Sequence, residues 1–505
     1  MRTARAILAG LVVMLAGAGS DASQRVPENI EQARRDVRVA IDDGRYVAAE
    51  SLARNLLAVL GGLDGAHQAE AVRAADLLVE ALIENGRGAD QATQALAGEI
   101  LRRMQVASPE DGRGLASAFG HLGAVLFQAG DYQRAVIEFD RARVVRDRTA
   151  VVPDAAAAGD LGQLAMALLQ VAKYEDALAA ASRAVAVAEN IVNGEASTAR
   201  ALTIRGSVWQ RKGEYVRARA DLERAFAIQG VHARHPDIAM TQMLLGAQSK
   251  FEGDIPKARD LLERAVAMAD ATLRPGHPNN AWFLRILALT VQDLGDLERA
   301  RVLQERAIAL ATSSAGSNHP LTADCLQDLA GTLLLQADYE GARSRYENAL
   351  RIYERRLGPD SPDTATVLYN LAILNAELGD FANARTLHRR AIATWEHSLG
   401  REHSFVARAS RVFGQTLAEQ GLDREALPLF ERALSIQRRT LGSDNVAVAE
   451  TLSSSANSLA RIGEYRRALA LSTQAMSIWE KAASPDTAGF VRSLLAHAAA
   501  LSAGG

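Results

Sequence analysis

The sequence predicts an all-α fold in which antiparallel helix pairs stack into an α-solenoid. Two alanine ladders with one period carry this prediction, and a chain of 505 residues is also too long for a single hydrophobic core. Each ladder repeats every 42 residues. The first comprises Ala258, Ala300, Ala342, Ala384, Ala426 and Ala468, and the second comprises Ala265, Ala307, Ala349, Ala391, Ala433 and Ala475.

Each repeat is predicted to consist of two helices joined by a tight turn. In the unit that starts at Pro362, apolar residues at helical spacing form one stripe. The tripeptide Gly379-Asp380-Phe381 interrupts that stripe, and a second one follows from Ala384. Alanine is expected at both ladders because closely crossing helices leave room for little more than a methyl group at their contact.

Proline and glycine mark the predicted boundaries between repeats. Proline is accommodated in the first turn of a helix, where its missing N–H has no partner to lose, and it opens the units at Pro236, Pro278, Pro320 and Pro362. Glycine adopts the left-handed conformation that ends many helices, so the second helices are predicted to end at Gly316, Gly358, Gly400 and Gly442.

Counting the turns gives nine clear repeats and two weak ones. Residues 19–110 are predicted to hold degenerate helical repeats, residues 111–235 three repeats of 40–42 residues, and residues 236–485 six regular repeats of 42 residues. A single helix within residues 486–505 is expected to cap the apolar end of the stack.

The first 18 residues differ in kind from the rest. Arg2 and Arg5 precede an apolar run from Ala6 to Ala18, which is typical of an export signal peptide. We therefore expect an exported protein, in the periplasm or outside the cell. The alternative is that residues 6–18 remain as a short membrane anchor.

Composition excludes several classes of protein. Hydrophobic residues make up 48% and charged residues 23% of the chain, which is typical of a folded protein and not of a disordered one. The net charge of −3, with both signs interspersed, gives no basic face for nucleic acid. The single cysteine, Cys325, allows no internal disulfide, and its position on an apolar stripe predicts a buried side chain.

The repeats resemble the tetratricopeptide repeat. Leu245-Gly246, Leu329-Ala330, Leu371-Ala372 and Phe413-Gly414, followed by the two alanine ladders, match its small-residue consensus. The period of 42 and the segment Leu357–Pro362 are similar to the longer repeats of kinesin light chains and their bacterial relatives. The resemblance implies a right-handed superhelix whose groove, lined by the first helix of each pair, binds proteins or peptides.

The resemblance also implies which side chains face that groove. Positions flanking the small residue of each first helix give a set of aromatic, amide and arginine side chains: Trp282, Arg285, Gln327, Tyr369, Asn370, Arg408, Arg411 and Gln415. Such side chains dominate the binding energy of protein interfaces. The alternative is that they form an ordinary solvated helix face.

Neither catalysis nor cofactor binding is expected. The lysine–asparagine clamp that similar repeat proteins use for a terminal carboxylate is absent, and no phosphate loop, nucleophile elbow or zinc spacing occurs. His232 and His235 precede a proline and are expected to cap a helix and not to bind a metal. The sequence therefore predicts a non-catalytic scaffold for a protein or peptide partner. The alternatives are a membrane-tethered signalling arm and, less favoured, a hydrolase or transferase with a groove site.

Overall fold

A computed structural model describes residues 26–61, 68–107, 109–149, 154–230, 235–481 and parts of 490–501. All regular secondary structure in these ranges is helical, which confirms the predicted all-α class. The predicted signal peptide, residues 1–18, lies outside the described residues. The chain divides into two compact units, Met1–Thr332 and Leu333–Gly505, here called unit one and unit two.

Unit one contains fifteen described helices, of which the last ends just beyond it. They are α1 (Val26–Asp42), α2 (Tyr46–Gly61), α3 (Gln68–Glu84), α4 (Gln91–Ala107), α5 (Gly112–Gln128), α6 (Tyr132–Thr149), α7 (Ala155–Gln170), α8 (Tyr174–Glu189), α9 (Glu195–Arg211), α10 (Tyr215–Gln229), α11 (Pro236–Phe251), α12 (Ile255–Thr272), α13 (Pro278–Asp293), α14 (Leu297–Ser314) and α15 (Pro320–Leu335).

Unit two continues the alternation. Its described helices are α16 (Tyr339–Arg356), α17 (Pro362–Glu377), α18 (Phe381–Leu399), α19 (Ser404–Glu419), α20 (Asp423–Leu441), α21 (Val446–Arg461) and α22 (Tyr465–Lys481). Odd-numbered helices are the first and even-numbered helices the second of each pair. Residues 26–107 hold two such pairs in the region predicted to be degenerate, so eleven pairs follow one another in the described chain.

A three-residue turn joins the two helices in every pair except the second, where six residues do so. The second residue of each turn has a positive φ, which favours glycine because glycine lacks a β-carbon. Nine turns use glycine, and the other two place Ala172 and Ala337 in the same conformation. The glycines predicted to end the second helices, Gly316, Gly358, Gly400 and Gly442, also have a positive φ, which confirms the predicted helix ends.

Small residues occur where the two helices of a pair touch, as the ladders predict. The side chain 16 positions later packs directly on the small residue of the first helix. A β-carbon at Gly246 would lie 2.7 Å from Cγ of Leu262, and one at Gly206 would lie 2.8 Å from Cγ of Leu222. The ladder alanines Ala258 and Ala265 are fully buried. Close approach of the backbones therefore explains the small residues.

The helix starts are capped by side chains. The Nδ1 atom of His235 accepts from the N–H of Asp237 at 3.1 Å, and His277 caps its helix in the same way, which confirms capping as the role of the His-Pro turns. His232 lies outside the described residues. Five of the described second helices follow an aspartate, such as Asp254, whose carboxylate accepts from the N–H three residues later.

Arginines on the second helices reach acidic residues of the preceding pair. In unit two, Arg390 contacts Glu354 at 2.6 Å, and Arg432 contacts Glu396, each pair 36 positions apart. These arginines directly precede the second alanine ladder. Since these ion pairs are partly exposed to solvent, each contributes little to stability, and together they mainly align neighbouring repeats.

Unit one is closed by contacts between residues about 190 positions apart in the sequence. The Nε2 atoms of His235 and His277 lie 3.2 Å from the carbonyl oxygens of Asp42 and Glu84, 193 positions earlier in both cases. Pairs six and seven therefore rest on the turns of pairs one and two. No pattern in the sequence predicts these contacts.

Candidate binding surfaces

The most distinctive of the predicted groove residues is Arg408 in unit two. Its guanidinium carbon lies 5.2 Å from the ring centre of Tyr369 and 5.1 Å from that of Phe405, so two aromatic rings hold one exposed cation. Within the described ranges no carboxylate lies at ion-pairing distance from Arg408. Its charge is therefore available to a ligand.

The ring of Tyr369 belongs to the core beneath this cation. It is 8% exposed and packs against Trp395 with the ring centres 5.6 Å apart. Burial raises the pKa of its hydroxyl, although Arg408 and Arg411 oppose that shift. Tyr369 therefore positions Arg408 and offers little surface of its own.

A second cluster in unit two brings together Arg411 and Gln415. The two side chains are 3.3 Å apart, and Gln415 donates to the hydroxyl of Ser454 at 3.1 Å. Arg411 also lies 3.5 Å from the carboxylate of Glu450. These polar groups come from α19 and α21, so the first helices of two successive pairs present one continuous surface.

Asn370 is half-buried on α17. It follows Tyr369 directly in the sequence, but no hydrogen bond among the described residues joins it to the Arg408 cluster. Its place among the ligand-facing residues stays a prediction.

Two of the predicted residues of unit one, Arg285 and Trp282, are engaged within the chain. Arg285 donates to Asp328 at 2.5 Å and lies 3.4 Å from Asp324. Asp328 is 8% exposed, so the pair is largely removed from solvent. Trp282 packs against the apolar core of unit one, and the Oε1 atom of Gln327 is buried without a hydrogen-bond partner among the described residues. Arg285 therefore has a structural task whether or not a ligand reaches it.

The structure also reveals a charged network that the sequence analysis missed. It runs across the first helices of pairs one to three, where Arg38 forms a two-point ion pair with Glu80. His121 lies 2.8 Å from Asp76 through Nδ1 and 3.7 Å from Glu80 through Nε2. Burial lowers the pKa of His121, but Asp76 and Glu80 outweigh it and raise the pKa to about 9. His121 is therefore a cation at neutral pH.

A neighbouring network links early repeats to later ones. Arg200 on α9 contacts Asp237 on α11 at 3.0 Å, and its charge also interacts with that of Glu84 on α3. The charges of Asp237 and Glu84 keep the pKa of Arg200 above its ordinary value despite burial, and burial raises the pKa of Glu84 although Arg200 opposes it. The Arg200 side chain is nevertheless 50% exposed, so this network lines a space that water enters.

A signal for part of this network was present in the sequence. Counting back seven residues from the turn glycine gives the small-residue position of a regular first helix, as Gly379 does for Ala372. The same count from Gly86 gives Val79, which places Asp76 and Glu80 at groove positions. Valine in place of alanine or glycine concealed that register in the degenerate repeats.

No group of three or more His, Cys, Asp and Glu side chains within the described residues is arranged to hold a metal ion. None of the helices in the described ranges has the length and apolar character needed to cross a membrane.

The sequence matches two family profiles, both described as tetratricopeptide repeat. One matches five overlapping segments at residues 237–313, 281–355, 329–397, 363–436 and 405–481, and the other matches residues 163–230. Together they cover more than half of the chain. No curated protein matches the sequence.

Two solved structures each match less than half of this chain. A Podosopora anserina kinesin light chain with nearly identical TPR-like repeats is 22% identical, covering 41% of this chain and 98% of its own, with a TM-score of 0.37. BtubC (BKLC) from P. vanneervenii is 21% identical, covering 46% of this chain and 91% of its own, with a TM-score of 0.36.

A Rap protein complexed with Competence and Sporulation Factor matches a larger part of the chain. It covers 74% of this chain and 99% of its own at a TM-score of 0.56, with 13% identity. At that identity the likeness concerns the fold, and it confirms the predicted solenoid of stacked helix pairs. The profiles and the repeat geometry agree: the chain belongs to the tetratricopeptide repeat family, whose stacked helices are scaffolds for protein interaction.

Proposed function

We propose that this protein is a non-catalytic scaffold that binds a protein or peptide through the first helices of its repeats. The observation that carries the proposal is Arg408, an exposed cation held between the rings of Tyr369 and Phe405. Arginine and aromatic side chains arranged in this way are enriched among residues that dominate interface energies. The Rap protein of similar fold, complexed with Competence and Sporulation Factor, supports a ligand-binding role for such an array.

The chemistry of the site favours a ligand that carries a carboxylate. A guanidinium forms two parallel hydrogen bonds to a carboxylate, and rings that fix its position reduce the entropy lost on binding. Arg411 and Gln415 provide further donors on the same helix, α19. We therefore expect an extended peptide whose acidic side chain or terminal carboxylate contacts Arg408.

Peptide display against the full-length chain tests this proposal. Binders from a random library are selected, and their Kd values are measured for the wild-type chain, Arg408→Gln and Arg389→Gln. Arg389 is the matched control, because it is also an exposed arginine 5.8 Å from an aromatic ring centre, that of Phe413, but it lies on a second helix. We expect Arg408→Gln to weaken binding by about 10-fold or more and Arg389→Gln to leave it unchanged. Equal effects of the two substitutions would show that α19 does not contact the ligand.

We further propose that the protein acts outside the cytoplasm, as the apolar segment from Ala6 to Ala18 indicates. Fractionation of the source organism and mass spectrometry of the mature N-terminus test this location. A mature chain that starts near Gly19 in the periplasm or medium agrees with export. An intact Met1 in the membrane fraction would favour the tethered signalling arm, and an intact Met1 in the cytosol would contradict both.

A further inference from the structure

Unit one is closed by the same contact made three times. The turn glycines of pairs one to three each lie against a His-Pro helix start five pairs later. A β-carbon at Gly44 would lie 2.6 Å from Cδ of Pro236. The corresponding distance is 2.5 Å from Gly86 to Pro278 and 2.8 Å from Gly130 to Pro320. Three equivalent contacts in succession indicate that one superhelical turn rests on the next.

The imidazole rings at two of these helix starts each bond both to their own helix and to the turn five pairs earlier. Nδ1 of His277 accepts from the N–H of Asn279 at 3.1 Å, so the proton of the neutral ring lies on Nε2. Nε2 then donates to the carbonyl of Glu84 at 3.2 Å. Burial lowers the pKa of His277 to about 4, which keeps the ring neutral. His235 is arranged in the same way toward Asp42.

Other side chains strengthen the same contact. Arg274 donates to the carbonyl of Asn85 at 2.7 Å and to that of Gly86 at 3.2 Å. Tyr46, only 6% exposed, packs into the apolar core that includes Ala239 and Met243 of α11. The closure therefore combines hydrogen bonds, steric fit and an apolar contact.

Stacking between neighbouring pairs does not depend on this closure. In helical repeat arrays each unit is stabilised by its own packing and by the two neighbours beside it. The contacts between pairs one to three and pairs six to eight are additional to that packing, so they can separate while every pair stays folded.

We propose that these three contacts form an intramolecular latch, defined as Gly44, Gly86 and Gly130 against Pro236, Pro278 and Pro320. The latch holds unit one closed around the network of Arg38, Glu80 and His121, and its opening widens that interior without unfolding a repeat. A ligand of unit one that needs more room than the closed turn provides therefore binds only as the latch opens.

The turn glycines supply a matched pair of variants for the test. The latch variant is Gly44→Ala/Gly86→Ala/Gly130→Ala. The control is Gly213→Ala/Gly253→Ala/Gly295→Ala, at turn glycines that also have a positive φ but have no atom within 4 Å of the added β-carbon. Both variants carry the same backbone strain, so only the latch variant adds a clash between turns.

Pulsed electron–electron double resonance on the full chain measures the distance between two spin labels on opposite sides of the latch. Spin labels are attached to Gln91→Cys on α4 and Val302→Cys on α14, both exposed, while Cys325 is fully buried and stays unlabelled. We expect one narrow distance distribution in the wild-type chain and in the control. The latch variant is expected to shift to longer distances and broaden, while its helical circular dichroism matches the control.

A second, milder variant tests the proposal even if the latch variant fails to fold. Arg274→Ala removes two hydrogen bonds of the latch without backbone strain, and we expect it to broaden the distribution in part. Unchanged distances in both the latch variant and Arg274→Ala would overturn the proposal. Loss of helical signal in the latch variant alone would also overturn it, since the latch would then be inseparable from repeat folding.

Discussion

The ring of Phe430 packs directly on the backbone of Gly414. A β-carbon at Gly414 would lie 2.6 Å from Cε1 of that ring, which is fully buried between α19 and α20. The contact exists because the two helices cross at this point with no side chain between them. It is the same relationship that joins Gly246 to Leu262 in unit one.

Gly414→Ala is expected to destabilise the chain although alanine is the better helix former. Overpacking typically costs about 1–3 kcal/mol, and because the fully buried ring has no room to move, we expect a cost above the gain of about 1 kcal/mol in helix propensity. The control is Gly98→Ala within α4, where nothing lies within 4 Å of the added methyl group. Gly98→Ala should raise stability by about 1 kcal/mol. Urea denaturation followed by circular dichroism compares the midpoints, and equal gains at both sites would contradict the close crossing.

Removing Arg285 is expected to destabilise unit one even without a ligand. The carboxylate of Asp328 is 8% exposed and would lose the donor that lies 2.5 Å away. Breaking a buried ion pair costs about 3–5 kcal/mol. The double variant Arg285→Ala/Asp328→Ala should recover part of the loss in thermal denaturation. If Arg285→Ala has the same melting temperature as the wild-type chain, the ion pair with Asp328 does not stabilise unit one. For this reason Arg285→Ala is a poor test of binding.

The buried imidazole of His388 should make stability depend on pH. It is fully buried, stacks on Phe413 and has its pKa lowered by burial to about 4. The unfolded chain takes up a proton at this position near pH 6.5, whereas the folded chain does so only near pH 4. The folded state is therefore favoured less as pH falls from 6.5 toward 4, by about 2 kcal/mol at pH 5.

His388→Phe removes that dependence while keeping an aromatic ring against Phe413. The difference in unfolding midpoint between pH 8 and pH 5 should be smaller in the variant than in the wild-type chain. His397→Phe is the control, because this histidine lies toward the surface near the end of α18. An identical pH dependence in His388→Phe and wild type would show that the imidazole is not held neutral.

His121 should titrate in the opposite sense. Asp76 and Glu80 overcome the effect of burial and raise the pKa of His121 to about 9. Asp76→Asn removes the carboxylate 2.8 Å from Nδ1 and should lower this pKa by more than one unit. Nuclear magnetic resonance of selectively labelled histidine measures both values. A wild-type pKa near 6.5 would mean that the network with Asp76 and Glu80 is not formed in solution.

The sequence by itself determined the repeat, its period and the local structure of each helix pair. Pro236 marks the start of a helix because the φ of proline is restricted to a helical value. Gly316 marks the end of one because glycine can adopt a positive φ. Alanine and glycine at fixed spacing announce the crossing of the two helices because only small side chains fit there. These are short-range relationships, so they can be read from neighbouring residues.

Only the tertiary structure decided which side chains are free to bind and which are already paired. Arg285 and Arg408 both occupy predicted groove positions, but Arg285 reaches Asp328 whereas Arg408 rests between aromatic rings. The difference depends on residues of a neighbouring pair about 40 positions away, which follows Arg285 but precedes Arg408. A pattern within one repeat does not contain that information.

The closure of unit one also depended on tertiary structure alone. His277 meets Glu84 across 193 positions because small rotations between successive pairs add up over five repeats. The total rotation over five repeats cannot be read from the sequence of any one repeat. The sequence thus determined the repeating unit, and the accumulated twist decided that Gly86 would lie against Pro278.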